Sequence, residues 1–565
     1  MESESGMNRF FLFTGFGRSL VLFLLSIFCL NIAIISIAGS YDIRVGFVHL
    51  TARGLFKPVL MMNGCFIIAL MICSAGRKIR DSIPGSVDGL FTSSRFYRTL
   101  LLSTIILLVL VIYVPSAGVN LRHNEWTQKH ISAGIASISS TWQFFTHGDP
   151  TGFYRPLGFI SLWADYRLFG DADSGYHVQS IGLHLINSLL VAWLASALGF
   201  GRKCAFWSGS LFAAAAVNFE AVVWPAARFD LLSTMFTLLA LVSVIRYLHD
   251  TRLYAWTLPA SILFYVCGVM NKESSYCFCL LLVFILCTRE IWNIPPQPVS
   301  KLILCLSSIA AATAILLCIR IAVYGNLGGY PTAEGVPSYH FRVDSRTFLS
   351  LVRALPIPLL GINTSSEARA WGHGVPLMFA VPVLFTAYSC RGCFRRKEYA
   401  LIAMTVLSLA PVLNIVGWIG SWMQHSRYLY MPAIFVMLLI ASTAVKIRWS
   451  AAILGAFLFV NASGAASNIR VYLDMMKKAA TFADTVRSDW MRRSSPTEIC
   501  LIGLPEHTDG VFYFGTEVVE QIGSRIPNAK IVRQEVYDPE SSDTTGKLFY
   551  RWSRDDRSLY PVGQR

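Results

Sequence analysis

The sequence predicts an all-α polytopic membrane protein with about thirteen transmembrane helices and a small C-terminal α/β external domain. Three observations carry that expectation. Of the 565 residues, 54% are hydrophobic and 14% charged, and the mean hydropathy of +0.52 is too high for a soluble multidomain chain of this length. Apolar windows long enough to span a bilayer as helices recur along most of the sequence. Basic residues gather in alternate connections between those windows, as the positive-inside rule asks of a cytoplasmic side.

Taken in order, windows near 18–39 and 56–74 give two helices, which with the basic loop that follows make a first unit, residues 1–95. The first window has no small-residue cleavage site and a second span follows it, so it reads as an anchor rather than a signal peptide. The large body, residues 96–466, holds windows near 98–117, 178–199, 204–219, 228–247, 253–270, 275–288, 302–323, 374–390, 398–419, 429–445 and 449–466. Of these, 204–219 and 275–288 are short for a span. The segment 347–363 contains Arg353, Pro356 and Pro358 and reads as a helix lying on the outer surface. With that assignment, Arg77 to Arg98, Arg202 with Lys203, Arg246 with Arg252, Arg391 to Lys397, and Lys446 with Arg448 all fall on one side. The N terminus is then cytoplasmic and residues 467–565 are external. In that tail, 498–503 and 529–537 read as short strands and 514–525 as a helix.

The net charge of +15 would suit nucleic acid, but no aromatic-rich basic face accompanies it, and a nucleic-acid partner is excluded. Of thirteen cysteines nearly all lie inside apolar windows, Cys277 and Cys279 among them, and Cys500 lies in the external tail. They read as small buried hydrophobes rather than a disulfide framework.

Chemistry concentrates on the outer side. The densest polar stretch in apolar sequence runs from Tyr154 to Asp230: Tyr154-Arg155-Pro156-Leu157, Gly175-Tyr176-His177, His184 with Asn187, Glu220, and Arg228-Phe229-Asp230. Ionisable groups in hydrocarbon are costly and are kept facing a bundle interior or a water-filled cavity. Glu125 follows a span directly, and a carboxylate partly withdrawn from water suits a general base, the alternative being a solvated loop acid. Asp149 has the weaker case, because Gly148 and Pro150 suggest a plain turn. Glu220 closes one span while Arg228 and Asp230 open the next, so an ion pair across the turn competes with substrate binding. Lys272 and Glu273 read either as an interfacial charge pair or, for the lysine, as a point charge for phosphate. Arg427, beside Tyr428, reads either as a snorkelling arginine or as a phosphate fork. Arg155, Lys272 and Arg427 share the outer face, which favours an anionic ligand. His184 and Asn187, three apart on one helix face, read as interhelical hydrogen-bonding groups. The glycine-rich stretch Gly325 to Tyr330 follows no strand and reads as a lid or turn.

In order, these residues resemble the multi-spanning, lipid-dependent glycosyltransferases of the GT-C class, and within it bacterial relatives of the tetratricopeptide-repeat O-mannosyltransferases. The matching elements are Tyr154-Arg155-Pro156-Leu157, Gly175-Tyr176-His177 with His184, Phe219-Glu220-Ala221-Val222, Arg228 with Asp230, Lys272-Glu273, Pro411-Val412-Leu413-Asn414 and Arg427-Tyr428-Leu429-Tyr430-Met431-Pro432. They span roughly residues 120–435. The resemblance implies a GT-C-like body in the inner (plasma) membrane and a polyprenyl-phosphate sugar donor. Transfer to a glycan, lipid or protein acceptor would then take place on the non-cytoplasmic face. It implies a catalytic carboxylate in the first external loop, within an Asp-Asp or Asp-Glu pair. Here the pair reads Asn124-Glu125, which makes Glu125 the catalytic candidate. Tyr154, Arg155, His177, Glu220, Arg228, Asp230, Lys272, Glu273, Arg427 and Tyr428 are the substrate-binding candidates. No cofactor follows with certainty; a divalent metal stays open, and the amide at 124 weighs against it. Two other readings stand: a multi-spanning transporter, which would show paired halves with broken helices, and an inactive GT-C relative that binds lipid-linked glycans.

Overall fold

The computed structural model describes residues 40–45, 48–53, 94–118, 134–135, 137–147, 154–170, 172–249, 256–324, 395–413, 425–446, 450–492, 498–505, 514–534, 547–553 and 558–562. In hydrocarbon every backbone polar group must find its partner within the chain, and long apolar stretches answer this by forming helices. The body accordingly consists of α1 (Ser94–Tyr113), α2 (Pro156–Phe169), α3 (Asp173–Ala197), α4 (Arg202–Ala214), α5 (Phe219–Val223), α6 (Arg228–His249), α7 (Thr257–Val269), α8 (Cys277–Cys287), α9 (Val299–Tyr324), α10 (Arg396–Leu409), α11 (Tyr430–Ala444) and α12 (Ser450–Arg492).

Among the described residues, six helical stretches are long and apolar enough to cross a membrane, and a seventh if a bent pair is one span. The count of about thirteen is therefore not reached here. Windows 18–39, 56–74 and 374–390 and the surface helix at 347–363 lie outside the described residues. The windows near 253–270, 275–288 and 398–419 are represented by α7, α8 and α10, with 13, 11 and 14 helical residues. The window 204–219 is broken: α4 and the segment Ala216–Val223 meet at an angle of 47°.

α6 and α11 run through the middle of the bundle and are mostly buried, whereas α1 and α9 present apolar residues such as Leu107, Val111, Ile303 and Ile315 outward. A helix apolar all round, with one side packed and the other bare, suits a lipid-facing position. The bundle has two chemically different ends. At one, lysines cap helix C termini, where unpaired carbonyls carry partial negative charge: Lys397 Nζ donates to Leu198 O and Gly199 O, and Lys301 Nζ to Tyr247 O. Lys446 pairs with the buried Glu398 there, and Arg246 lies over Trp193. The other end carries the candidate site.

α12 continues unbroken for 43 residues, so the boundary drawn at 466/467 falls inside a helix. Beyond it stands a four-stranded sheet of order β4-β3-β5-β6, built from β3 (Glu498–Ile502), β4 (Lys530–Gln534), β5 (Lys547–Ser553) and β6 (Ser558–Pro561). β3 is parallel to both β4 and β5, and β6 is antiparallel to β5. The helix α13 (Phe514–Arg525) connects β3 to β4 and packs on α12. The expected strands at 498–503 and 529–537 and the helix at 514–525 are present. β5 and β6, and an antiparallel hairpin of β1 (Ser40–Val45) with β2 (Val48–Arg53), were not foreseen. β5 buries Leu548, Tyr550 and Trp552 on one face and Phe549 on the other, where Arg551 is exposed, so the apolar run Leu548–Tyr550 hides the alternation that marks a half-exposed strand. The described cysteines are unpaired, and Cys204, Cys277, Cys305 and Cys500 are buried, as small hydrophobes would be.

Candidate anion site

Three connections at one end of the bundle bring charged residues together. The first precedes α2, whose Pro156 occupies the opening helical turn, where a missing N–H costs nothing. Leu157 N donates to Met270 O, which ties this start to the turn after α7. In that turn Lys272 is extended (φ −162°, ψ 147°). Successive side chains on extended backbone point to opposite sides, and Lys272 and Glu273 do so. Lys272 Nζ reaches both carboxylate oxygens of Asp230 at 2.5 and 2.6 Å. Glu273 receives Arg155 Nη2 at 2.9 Å and Arg320 Nη1 at 3.0 Å. The Lys272–Glu273 neighbour pair, one of the two readings of this dipeptide, is therefore replaced by a pair with Asp230 and a triad of Glu273 with Arg155 and Arg320.

The third connection leads into α11. His425 sits in left-handed backbone (φ 57°), a region that histidine enters more readily than most residues. The turn Ser426–Leu429 follows. Arg427 donates through its backbone N–H to Glu220 Oε2 at 3.0 Å and through Nη1 to Glu220 Oε1 at 2.7 Å. Its guanidinium lies 4.7 Å from the ring centres of both Trp224 and Tyr428. Lys272 Nζ is 4.9 Å from the same Tyr428 ring, which stacks on His425 at 5.7 Å. Arg155 stands 5.4 Å from the Phe229 ring. Aromatic faces attract cations electrostatically and more so away from water.

Among the described residues the cluster counts four cations (Arg155, Arg320, Lys272, Arg427) against three carboxylates (Glu273, Asp230, Glu220). All are largely buried. Burial drives the Lys272 ammonium down to about 8; Asp230 opposes that shift, while Arg155 and Arg427 reinforce it. Among the described residues the arrangement is largely buried, holds one more cation than carboxylate, and sets aromatic rings against Arg155, Lys272 and Arg427.

The ion pair across the turn between Glu220 and Arg228, one of the two readings of this turn, does not form, since Glu220 holds Arg427 and Arg228 holds Asp165. Residues two apart on a helix point about 200° apart, so Asp230 turns to Lys272 while Arg228 turns the other way. Arg228 binds the Asp165 carboxylate through Nη1 and Tyr176 O at 2.9 Å through Nη2. Both partners of that pair are fully enclosed, so Arg228 lies in the packing between α2, α3 and α6, apart from the cluster around Lys272 and Arg427. Tyr154 donates to Phe145 O at 3.2 Å, and His177 is buried within the first turns of α3.

His184 and Asn187 make the expected interhelical bonds. His184 Nδ1 meets Tyr430 Oη at 2.8 Å and Nε2 meets Ala213 O at 3.1 Å, while Asn187 Nδ2 donates to Leu231 O and Tyr430 Oη.

Asp165 and Arg320 were not singled out in the sequence. Each is an ionisable group inside an apolar helix, the same signal that marked the Tyr154–Asp230 stretch. Glu125, with Asn124, Asp149, Asn414 and the glycines at 325–329, lies outside the described residues. Among the described residues no three His, Cys, Asp or Glu side chains group as metal ligands.

No family model matches the chain. Over 131 residues, 23% of its length, the chain is 30% identical to the protein O-mannosyl-transferase Tmtc1 of Drosophila melanogaster. Over 92 residues, 16% of its length, it is 35% identical to a protein O-mannosyl-transferase of Caenorhabditis elegans. The matched stretches make up 15% and 13% of those two proteins, so the chain spans about a seventh of the curated relatives it matches. Two crystal structures of ArnT from Cupriavidus metallidurans also align with it. The form bound to undecaprenyl phosphate covers 82% of this chain and 94% of its own, with 14% identity and a TM-score of 0.37. The apo form covers 81% and 94%, with 16% identity and a TM-score of 0.35. Over those stretches the chain is similar in sequence to protein O-mannosyl-transferases.

Proposed function

We propose that this chain is a membrane glycosyltransferase of the GT-C type. It would move a sugar from a polyprenyl-phosphate donor to a glycan, lipid or protein acceptor on the non-cytoplasmic face. The observation that carries this reading is the convergence of Arg155, Lys272 and Arg427, from three connections far apart in sequence, at one end of an apolar helical bundle. A phosphate with a prenyl tail needs both features: fixed positive charge for its head and a lipid-facing wall for its chain. The lysine-capped opposite end suits the cytoplasm, which turns the cation cluster outward. The printed names of the sequence relatives, protein O-mannosyl-transferases, agree with a glycosyl-transfer role.

In this reading the acceptor hydroxyl attacks the anomeric carbon and its proton passes to Glu125. The bond from that carbon to the phosphate oxygen breaks, and its electron pair leaves with the polyprenyl phosphate. Arg155, Lys272 and Arg427 stabilise the charge that develops there. Tyr428 and Trp224 hold the two innermost cations in place through their ring faces. A metal ion is assigned no step.

The test is transfer from polyprenyl-phosphate sugars by the purified protein. Glu125→Gln should lower the rate about a hundredfold, the scale of losing a general base, and unchanged transfer would remove Glu125 from the mechanism. A second reading rests on Asn124, which stands where the resemblance implies the first acid of a pair. An inactive relative would bind the donor and transfer nothing.

A further inference from the structure

The break between α4 and α5 frees backbone groups in a region without water, where each unpaired one is expensive. Their partners come from three sources. Phe212 O accepts Asn218 Nδ2 at 2.8 Å, and Ala213 O accepts His184 Nε2 at 3.1 Å. Ala216 is served at both its backbone atoms by α12: its N–H donates to Asn461 Oδ1 at 3.3 Å, and its carbonyl accepts Asn468 Nδ2 at 3.4 Å. Asn461 and Asn468 are seven residues apart, two helical turns, and so share one face of α12. Asn461 and Ala216 are wholly buried and Asn468 nearly so.

Four residues after Ala216 comes Glu220, and its two carboxylate oxygens hold the backbone and the guanidinium of Arg427. The turn Ala216–Asn218 also packs directly on the turn Ser426–Leu429. A polar group deep in an apolar bundle is retained where it has work to do. Two on one helix face, both aimed at one broken residue of another helix, fix where that break lies along α12. Small displacements of this carboxylate matter, because one oxygen holds the backbone N–H of Arg427 and the other its guanidinium, so that a shift in the first contact moves the second.

We propose that Asn461 and Asn468 are positioning residues for the anion site: they clamp Ala216 so that Glu220 presents Arg427 to the donor phosphate. The proposal rests on the glycosyltransferase reading only for the identity of the ligand. The same helix runs on into the packing with α13 and β6, so the clamp also joins the C-terminal domain mechanically to the phosphate site.

The experiment uses the full chain in detergent or nanodiscs, with Asn461→Leu, Asn468→Leu, Glu220→Gln and the combined variants. Hydrogen exchange is read first, without ligand. The asparagine variants should raise exchange about fivefold or more at residues 216–220 and also at 426–429, the scale of one lost hydrogen bond. The buried stretch 237–245 of α6 should not change. Raised exchange across the whole bundle, or none at 426–429, overturns the clamp.

Binding of polyprenyl phosphate is read second. Each asparagine variant should weaken it about fivefold, and adding it to Glu220→Gln should weaken it no further, because both act through Arg427. Independent, multiplying losses overturn the positioning role. Wild-type protein that binds no polyprenyl phosphate overturns the reading of the site, a failure visible before any variant is compared and separate from the exchange result.

Discussion

Arg228 and Arg427 both arise in apolar sequence, and their partners separate their roles. Arg228 is enclosed with Asp165 and a main-chain carbonyl. Removing one member of a buried ion pair strands the other, at a cost of about 3–5 kcal/mol. Arg228→Ala is therefore expected to lower the thermal midpoint in detergent sharply, and Asp165→Ala added to it should restore part of the loss. A midpoint equal to wild type in the single variant would show that the pair is not enclosed. Lys272 makes a different prediction. Its protonated form is the one that attracts an anion, and burial brings its pKa down to about 8. That form is in the majority below this value and is lost as pH rises through it. Affinity of the free protein for polyprenyl phosphate should then fall between about pH 7.5 and 9, a range above the second phosphate ionisation near 6. Lys272→Arg, whose guanidinium stays charged, should flatten the profile. A slope identical in that variant would assign the pH effect elsewhere. Arg155, Glu220, Asp230, Lys272, Glu273 and Arg427, which lie together at one end of the bundle, were each legible in the sequence because charge within apolar sequence stands out. Which acid pairs with which base was not legible, because neighbours in sequence point away from one another on both helix and extended backbone.

At the scale of elements, close approach between α2 and α6 places the Phe229 ring against Arg155. A Cβ on Gly158 would overlap the Phe229 ring, and that ring lies between Arg228 and Asp230 in sequence and under Arg155 in space. Gly158→Ala should cost about 1–3 kcal/mol by overpacking. Because the ring that shifts supports Arg155, it should weaken binding of polyprenyl phosphate as well. Unaltered stability and affinity together would rule out the tight α2–α6 contact. Further along the same side of α6 hydroxyls hold it: Ser233 Oγ lies 2.9 Å from Ser274 Oγ and 2.7 Å from Ser275 Oγ, and Thr237 donates to Ser275 at 3.0 Å. These bonds pin the turn that carries Lys272 and Glu273 against the helix that carries Asp230. Hydropathy marked 204–219 as a short span, but its break at Ala215 depends on asparagines from α12 that a local window does not include. The helix at 514–525 was readable from its own amphipathic pattern. β5 was not, since the apolar run Leu548–Tyr550 hides the period.

For the whole molecule, α12 is the member that joins body and tail. Trp552 of β5 meets Phe482 of α12 edge-on at 5.8 Å, Tyr550 donates to Asp489 at 2.8 Å, and Arg525 of α13 reaches Asp484 at 2.7 Å. Trp552→Ala should remove about 3–5 kcal/mol of packing and loosen the sheet from the helix. Limited proteolysis should then cut within residues 498–562 while the bundle stays intact. Resistance equal to wild type would mean that the domain does not depend on this contact.

The sequence by itself determined the class of the protein and the end of the bundle where its chemistry gathers. Hydropathy is a property of each stretch taken alone, and the basic clusters in alternate connections divide those stretches into two expected sides. The tertiary structure decided the pairings, the broken span and the separation of an enclosed arginine from those around the site. Glu220 finds Arg427 across 207 residues, and such a partnership is set by how helices rotate and pack, which no local pattern records.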